Sequence, residues 1–222
     1  MEPSFWEARW RKNQIGFHLS EANPLLKEYL PALRLELGNS VFMPMCGKSL
    51  DILYLRDQGF CVVGVELSEL AVRAFFSENE LAFTESQNGR FLRFESDGIT
   101  ILCGDIFHLR KDHLAGTSAS FDRAALFAFP PEMRRRYVEH FNNIYPPLFK
   151  TLLVTVEYPQ HEMSGPPFSL EEAEVRELFS NWKDVELLHT ADVLSGNAHL
   201  RERGITALQE KVFLLRKGDS LP

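Results

Sequence analysis

The sequence predicts an α/β fold in which a mostly parallel sheet is covered by helices on both faces. Three observations carry that prediction. Short apolar runs of strand length alternate with longer stretches of helical period along most of the chain. The first such strand, beginning at Val41, runs through Pro44 into a turn containing Gly47, and a helical stretch follows from Lys48. The second runs from Cys61 through Val65 and ends on a carboxylate, Glu66, with Ser68 opening the next helix. Strands buried on both faces read as continuous apolar runs, and parallel neighbours need a crossover between them.

From the N-terminus, residues 4–13 read as a helix with Ser4 as its cap and Phe5, Trp6 and Trp10 on neighbouring helical positions. A second helix is expected over 22–36, where Leu25, Leu26, Tyr29, Leu30 and Leu33 form one stripe. Seven strands follow, at 40–44, 61–66, 99–103, 121–127, 150–157, 184–190 and 207–216. Helices are expected between them at 48–58, 68–79, 131–146 and 170–181. Residues 82–95, with Asn88-Gly89 at the turn, read as an inserted hairpin or loop. A polar segment without a clear long helix joins the last two strands, so an antiparallel terminal pair is the simplest arrangement. No repeat, low-complexity tract or long linker interrupts the chain, and 222 residues suit one domain. It divides into a helical lid or cap segment over 1–36 and a sheet core over 40–216.

Apolar content of 45% with 18 Phe allows a sizeable core. The formal net charge of −7 argues against a nucleic-acid partner, because binding phosphate needs a basic surface. The run Arg134-Arg135-Arg136 is read as a solvated helix face. Cys46, Cys61 and Cys103 give an odd count without paired spacing, so reduced, mostly buried thiols are expected. No acids or histidines show metal-ligand spacing, and no metal is expected. The start lacks a basic and an apolar leader region, and no window nears the length of a membrane span. A soluble, cytoplasmic monomer is the expectation.

Sheets of this kind hold nucleotide ligands at the carboxyl ends of their strands, with an acid about twenty residues past the turn reaching the ribose hydroxyls. Glu66 stands there; its plainer role is to cap the helix after it. Gly47 stands alone where a dinucleotide site shows three glycines, which suggests a ligand without a pyrophosphate; S-adenosylmethionine fits. Gly47 then lets the chain pass close to the amino-acid end of that cofactor. Lys48 and Ser49 open a helix whose amides face a carboxylate, although a plain strand-to-helix turn reads the same way. Asp105 and Ile106 follow the strand at 99–103. Ile106 is placed to pack on the adenine, whereas Asp105 frames the ring or simply caps a turn. Arg123 lies inside a short apolar strand, where an unpaired charge is costly. Either it pairs with an acid such as Asp122 or it faces the cleft, where it would stabilise a thiolate or hold the acceptor. Trp10 is a core contact or an aromatic face near the sulfonium, worth on the order of 1 kcal/mol. The break at Gln14 to Gly16 before Phe17 suggests a segment folding over the cleft, with His18 a weak candidate base. The loop from Met163 to Phe168 follows the strand at 150–157, where it would wall the acceptor site or merely connect.

Several of these features, in order, resemble the thiopurine S-methyltransferase family. They are Trp6, Trp10 and Phe17-His18; Pro44 to Lys48; Val63 to Ser68; Asp105 to Phe107; Phe121 to Ala125; Gly165 to Phe168; and Gly204-Ile205 with Glu210-Lys211. The match runs to about residue 216, and the compact acidic chain resembles bacterial members. The resemblance implies the Rossmann-like, seven-stranded sheet of the S-adenosylmethionine-dependent methyltransferases, with an antiparallel terminal strand. It also implies methyl transfer to the sulfur of an aromatic or heterocyclic thiol by in-line displacement, with no dedicated base. It places Trp10, position 45, Glu66 and Arg123 at the cofactor, with Met45 standing where Leu is commoner. Phe17 falls where the family packs an aromatic on the acceptor, and the family's late arginine corresponds to His199, Arg201 or Arg203. Selenium or tellurium species, another small acceptor, or a silent cofactor-binding module are the alternatives.

Overall fold

A computed structural model describes residues 3–219 of the chain. Two compact units divide it, Met1–Phe121 and Asp122–Pro222.

The first unit opens with α1 (Pro3–Arg11) and α2 (Pro24–Tyr29), which tightens into a 3-10 turn over Leu30–Leu33. The helix expected over 22–36 is therefore shorter. Asn23 caps α2 through its side chain, Pro31 falls within the 3-10 turn, and Arg34 turns left-handed at φ 48°. Next come β1 (Ser40–Met43), α3 (Asp51–Asp57), β2 (Cys61–Glu66) and α4 (Glu69–Glu78). Then follow β3 (Thr84–Asn88), β4 (Phe91–Ser96), β5 (Ile99–Cys103) and β6 (Thr117–Arg123), whose last two residues open the second unit. The strand order in the first unit is β3-β4-β5-β2-β1-β6. β5, β2, β1 and β6 run parallel, and β4 is antiparallel to both β3 and β5.

Local chemistry explains these elements. β1 and β2 are buried along most of their length, as parallel strands between crossovers should be. α4 buries Ala71, Val72, Phe75 and Phe76 on one stripe, and Phe76 stacks on Phe94 of β4. Of the hairpin or loop expected over 82–95, the structure has the hairpin, with Gly89 at φ +59° in its turn. It adds two strands to the seven expected, so nine are present among the described residues.

In the second unit, α5 (Pro131–Ile144), β7 (Lys150–Glu157), α6 (Glu172–Leu178) and β8 (Asp184–Asp192) are followed by α7 (Ala198–Glu202) and β9 (Gln209–Arg216). β9 lies between β7 and β8 and is antiparallel to both, which realises the expected antiparallel end.

Two further expectations are corrected. The strand expected over 121–127 begins at Thr117 and stops at Arg123, because Ala124 adopts φ +73° and the Asp122 carboxylate accepts the Leu126 amide at 3.3 Å. Arg134 is not a solvated side chain. It is 1% exposed and donates to the carbonyls of Phe129 (3.0 Å) and Ser169 (2.8 Å) and to both Glu174 oxygens (2.8 and 2.7 Å).

Candidate active site

The turn after β1 has unusual backbone geometry. Met45 and Gly47 both lie in the left-handed region, at φ 48° and 53°. For Met45 that conformation costs about 1–2 kcal/mol, which the surrounding bonds must offset. Those bonds reach the end of β2: the Cys46 amide donates to the Val65 carbonyl at 3.0 Å, and the Gly47 amide donates to Glu66 Oε2 at 2.9 Å. Glu66 Oε1 accepts the Ser68 amide at 2.8 Å. Gly47 has a second reason to lack a side chain. A Cβ there would stand 3.0 Å from the Trp10 ring.

Glu66 is buried, and burial pushes its carboxyl up from the usual range, opposed by the amides of Ser68, Gly47 and Leu67. Each carboxylate oxygen accepts one of the two amides above, and each can accept a further hydrogen bond. The residues therefore fit the ribose end of an adenosyl cofactor: a buried acid at a strand end keeps acceptor capacity on both oxygens for two neighbouring hydroxyls. The plainer helix-capping role is weaker, because Glu66 binds the amide of Ser68, the residue before the helix.

Trp10 is buried beside the turn, and Phe17 meets it edge-on with centroids 5.5 Å apart. Trp6 contacts the same Phe17 ring at 5.9 Å. The structure thus brings Trp10, Phe17, Gly47 and Glu66 together. Met45 is half-buried in the same turn. On the next strand, the Gly104 amide donates to the Glu66 carbonyl at 2.8 Å, which sets Asp105 and Ile106 just past the end of β5. Ile106 is buried, while the Asp105 side chain caps the following turn by accepting the Phe107 amide at 2.9 Å. The expected helix start at Lys48 moves to Asp51. Lys48 instead pairs with Glu78 at 2.7 Å, and the carboxylate facing the turn amide is the protein's own Glu66.

The thiols are free, and only Cys46 is buried; Cys103 is half-buried and Cys61 exposed, against the mostly buried expectation. Burial, and then the Glu66 charge, raises Cys46 well above the usual thiol range and Cys103 to about 12. Both stay protonated at neutral pH.

In the second unit, Arg123 ends β6 and is half-buried. Its neighbour Asp122 is buried, accepts the Tyr137 hydroxyl at 2.6 Å, and is pushed up to about 6 by burial. Arg123 acts electrostatically on Glu210 of β9: with His189 it opposes the burial that raises the Glu210 carboxyl. The proline loop is stiffened by named bonds. The Tyr158 hydroxyl donates to the Pro167 carbonyl at 2.6 Å, and Gln160 donates to the Met163 carbonyl at 2.6 Å while accepting the Ser169 amide at 2.9 Å. Glu162 accepts the Thr206 amide and hydroxyl at 2.8 and 2.7 Å, tying this loop to the segment after α7. Tyr158, Met163, Leu200, Ile205 and Leu208 form the apolar cluster beneath. Arg201 and Arg203 are exposed, and the side chain of His199 lies outside the described residues.

Sequence reasoning missed the buried Arg134 and the polar pair Asn23–Asp51, whose Asp51 Oδ1 accepts the Asn23 amide at 2.6 Å. The Asn23-Pro24 step was a readable helix-start signal; nothing local marks Arg134 as buried within its basic run. Among the described residues no group of three or more His, Cys, Asp or Glu could hold a metal ion, and no helix is long and apolar enough to cross a membrane.

The family model described as thiopurine S-methyltransferase matches residues 1–218. A thiopurine S-methyltransferase of Pseudomonas paraeruginosa is 50% identical over 218 residues, covering 98% of this chain and 100% of that protein. One of Nitrosospira multiformis is 49% identical over 215 residues, covering 97% and 98%. Among solved structures, a Burkholderia thailandensis 1,6-didemethyltoxoflavin N1-methyltransferase bound to S-adenosylhomocysteine aligns with TM-score 0.67 at 16% identity, covering 98% of this chain and 87% of that one. An S-adenosylmethionine-dependent methyltransferase of Anabaena variabilis aligns with TM-score 0.64 at 12% identity, covering 97% and 94%.

Proposed function

The chain belongs to the thiopurine S-methyltransferase family, and from that premise we propose how its residues carry out the family reaction. The enzyme uses S-adenosylmethionine and methylates the sulfur of a thiopurine-like acceptor. The cofactor supplies an electrophilic methyl on a sulfonium, which becomes a neutral thioether when the acceptor sulfur forms its new bond to carbon.

Glu66 accepts the two ribose hydroxyls, and the buried carboxylate between the Gly47 and Ser68 amides is the observation that carries this reading. Gly47 and Met45 shape the turn at the amino-acid end of the cofactor, with Trp10 over it. Ile106 packs on the adenine. Asp105 caps the following turn through Oδ1 only and keeps acceptor capacity to frame the ring. Phe17 packs on the acceptor. Arg123 favours the acceptor as a thiolate, so no dedicated base is required, and the family's late acceptor-side residue is assigned to Arg201 or His199. Charge is neutralised as the bond forms, so alignment and exclusion of water supply most of the rate.

The family model and the aligned folds each span nearly the whole chain, which supports one methyltransferase domain; residues 1–36, which carry Trp10 and Phe17, are assigned as its lid. We also assign the enzyme to the cytoplasm as a monomer without a nucleic-acid partner; the net charge of −7 favours the last point, and sedimentation tests the monomer.

Transfer of labelled methyl from S-adenosylmethionine to a small thiopurine tests the whole reading, with Glu66→Ala as control. Transfer that disappears in a folded variant supports it. Cofactor binding unchanged in Glu66→Ala would sink the Glu66 assignment, and tight binding without transfer would point to another acceptor.

A further inference from the structure

A buried polar connection links the N-terminal segment to the glycine turn. Asp51 is the first residue of α3, and both it and Asn23, the cap of α2, are buried. Asp51 Oδ1 accepts the Asn23 backbone amide at 2.6 Å, and Oδ2 accepts the Ser49 hydroxyl at 2.8 Å. Ser49 in turn accepts the Asp51 amide at 3.2 Å and donates its own amide to the Cys46 carbonyl at 3.1 Å. The Asn23 side chain is engaged separately, accepting the Leu25 amide at 2.8 Å.

An acid at a helix start has a plain local use, because it complements the helix dipole and its free amides. That use does not explain the direction of this carboxylate. Its shorter bond goes to an amide 28 residues away, outside α3, where a buried N–H would otherwise lack a partner. Both ends of the connection lead to the site. On one side the segment before Asn23 carries Phe17, which packs on Trp10. On the other, Ser49 follows Gly47, which Trp10 covers and Glu66 holds.

We propose that Asp51 is a positioning residue that latches the segment carrying Phe17 to the turn carrying Gly47, keeping the acceptor-side aromatic and the cofactor turn in register. The proposal rests on the roles given to Glu66, Gly47 and Phe17 above. Asp51 touches neither reactant; it acts through the placement of Phe17.

The test compares Asp51→Ala with Asp51→Asn, each alone and with Phe17→Ala, using S-adenosylhomocysteine and a small thiopurine as probes. Asp51→Ala removes both acceptors and raises the acceptor KM by about tenfold, while S-adenosylhomocysteine affinity moves by less than about threefold. Asp51→Asn keeps an oxygen for the Asn23 amide and restores most of the loss. In the Phe17→Ala background Asp51→Ala adds little, because the two act in series. Trypsin cleavage at the exposed Lys12 of the S-adenosylhomocysteine-bound protein reads the latch without reference to activity; Asp51→Ala speeds it and Asp51→Asn does not. Ser49→Ala frees one Asp51 oxygen and gives the same pattern at smaller amplitude, which keeps the test open if Asp51→Ala does not fold. Wild-type cleavage in Asp51→Ala, or a KM effect fully additive with Phe17→Ala, would overturn the latch. A wild-type acceptor KM in Phe17→Ala would instead sink the Phe17 assignment, and this proposal with it.

Discussion

The Gly47 amide lies 2.9 Å from Oε2 of Glu66, so the turn after β1 and the acid ending β2, 19 residues apart, hold each other. The bond has two consequences. It fixes the carboxylate's orientation through the protein's own backbone, and it consumes the amide that a simple glycine-loop reading would give to the ligand. Pre-set orientation lowers the entropy lost on binding.

Glu66 should therefore make cofactor binding depend on pH. Its carboxyl titrates above the usual range because burial disfavours the charged form. Two ribose hydroxyls need the ionised acceptor. Affinity is present above the raised pKa and is lost as pH falls through it. Isothermal titration of S-adenosylhomocysteine across mildly acidic pH should show that decline. Glu66→Gln should bind at least about tenfold more weakly at neutral pH, the equivalent of one strong hydrogen bond, and should lose the pH dependence. A Glu66→Gln variant with the wild-type pH profile would mean that another group titrates.

Gly47→Ala tests the turn itself. An alanine at φ +53° costs about 1–2 kcal/mol, and its Cβ would stand 3.0 Å from the Trp10 ring. Trp10 must shift, so cofactor affinity should fall by more than the stability loss alone accounts for. Tryptophan fluorescence during cofactor titration would register the displaced ring. Unchanged fluorescence together with unchanged affinity would show that the turn tolerates a side chain.

The parts of this fold written in local pattern were legible in the sequence. β2, β5 and β7 fall at their expected positions because apolar runs bounded by polar residues leave little choice, and Glu66 follows from the end of such a run. The hairpin over 82–95 was visible through Asn88-Gly89, yet whether it would join the sheet depends on pairing with β5, a long-range fact. β6 was placed too late. Its first half, Thr117-Ser118-Ala119-Ser120, is small and polar and looks like a loop, but it is mostly buried in the structure. Arg134 was misread for a related reason: a charge in a basic run looks solvated until three acceptors from distant segments converge on it.

Asp122 gives a stability prediction with a defined window. Burial raises its carboxyl to about 6, against a usual value near 3.8, although the Tyr137 hydroxyl and the amides of Leu126 and Ala125 hold it down. The folded state thus binds a proton in that window before the unfolded chain does, and the group's destabilising charge is relieved as pH falls from above 6 toward 4. Asp122→Asn removes that charge, so its stability relative to wild type should be most favourable near pH 7 and shrink by up to about 2–3 kcal/mol toward pH 4. Urea denaturation at several pH values measures the difference. A gap independent of pH would mean that Asp122 stays ionised throughout.

Arg134 joins three segments of the second unit. Its guanidinium donates to the Phe129 carbonyl before α5, the Ser169 carbonyl after the proline loop, and both oxygens of Glu174 in α6. Arg134→Ala leaves two carbonyls without that donor and a half-buried carboxylate unpaired, a loss of about 3 kcal/mol or more. Lysine does not repair it, because one ammonium cannot reach three acceptors held in the plane of a guanidinium. Arg134→Met, apolar and of similar length, should lose nearly as much, since the carbonyls still lack a donor. The proline loop should loosen along with the clamp. Hydrogen exchange at Phe168 reports it directly, because that amide donates to the Phe127 carbonyl at 2.8 Å. Exchange that quickens at Phe168 but not in β7 would place the damage in the loop. Exchange rising equally in β7 would mean that Arg134 supports the whole second unit, and the proline loop would have no special dependence on it.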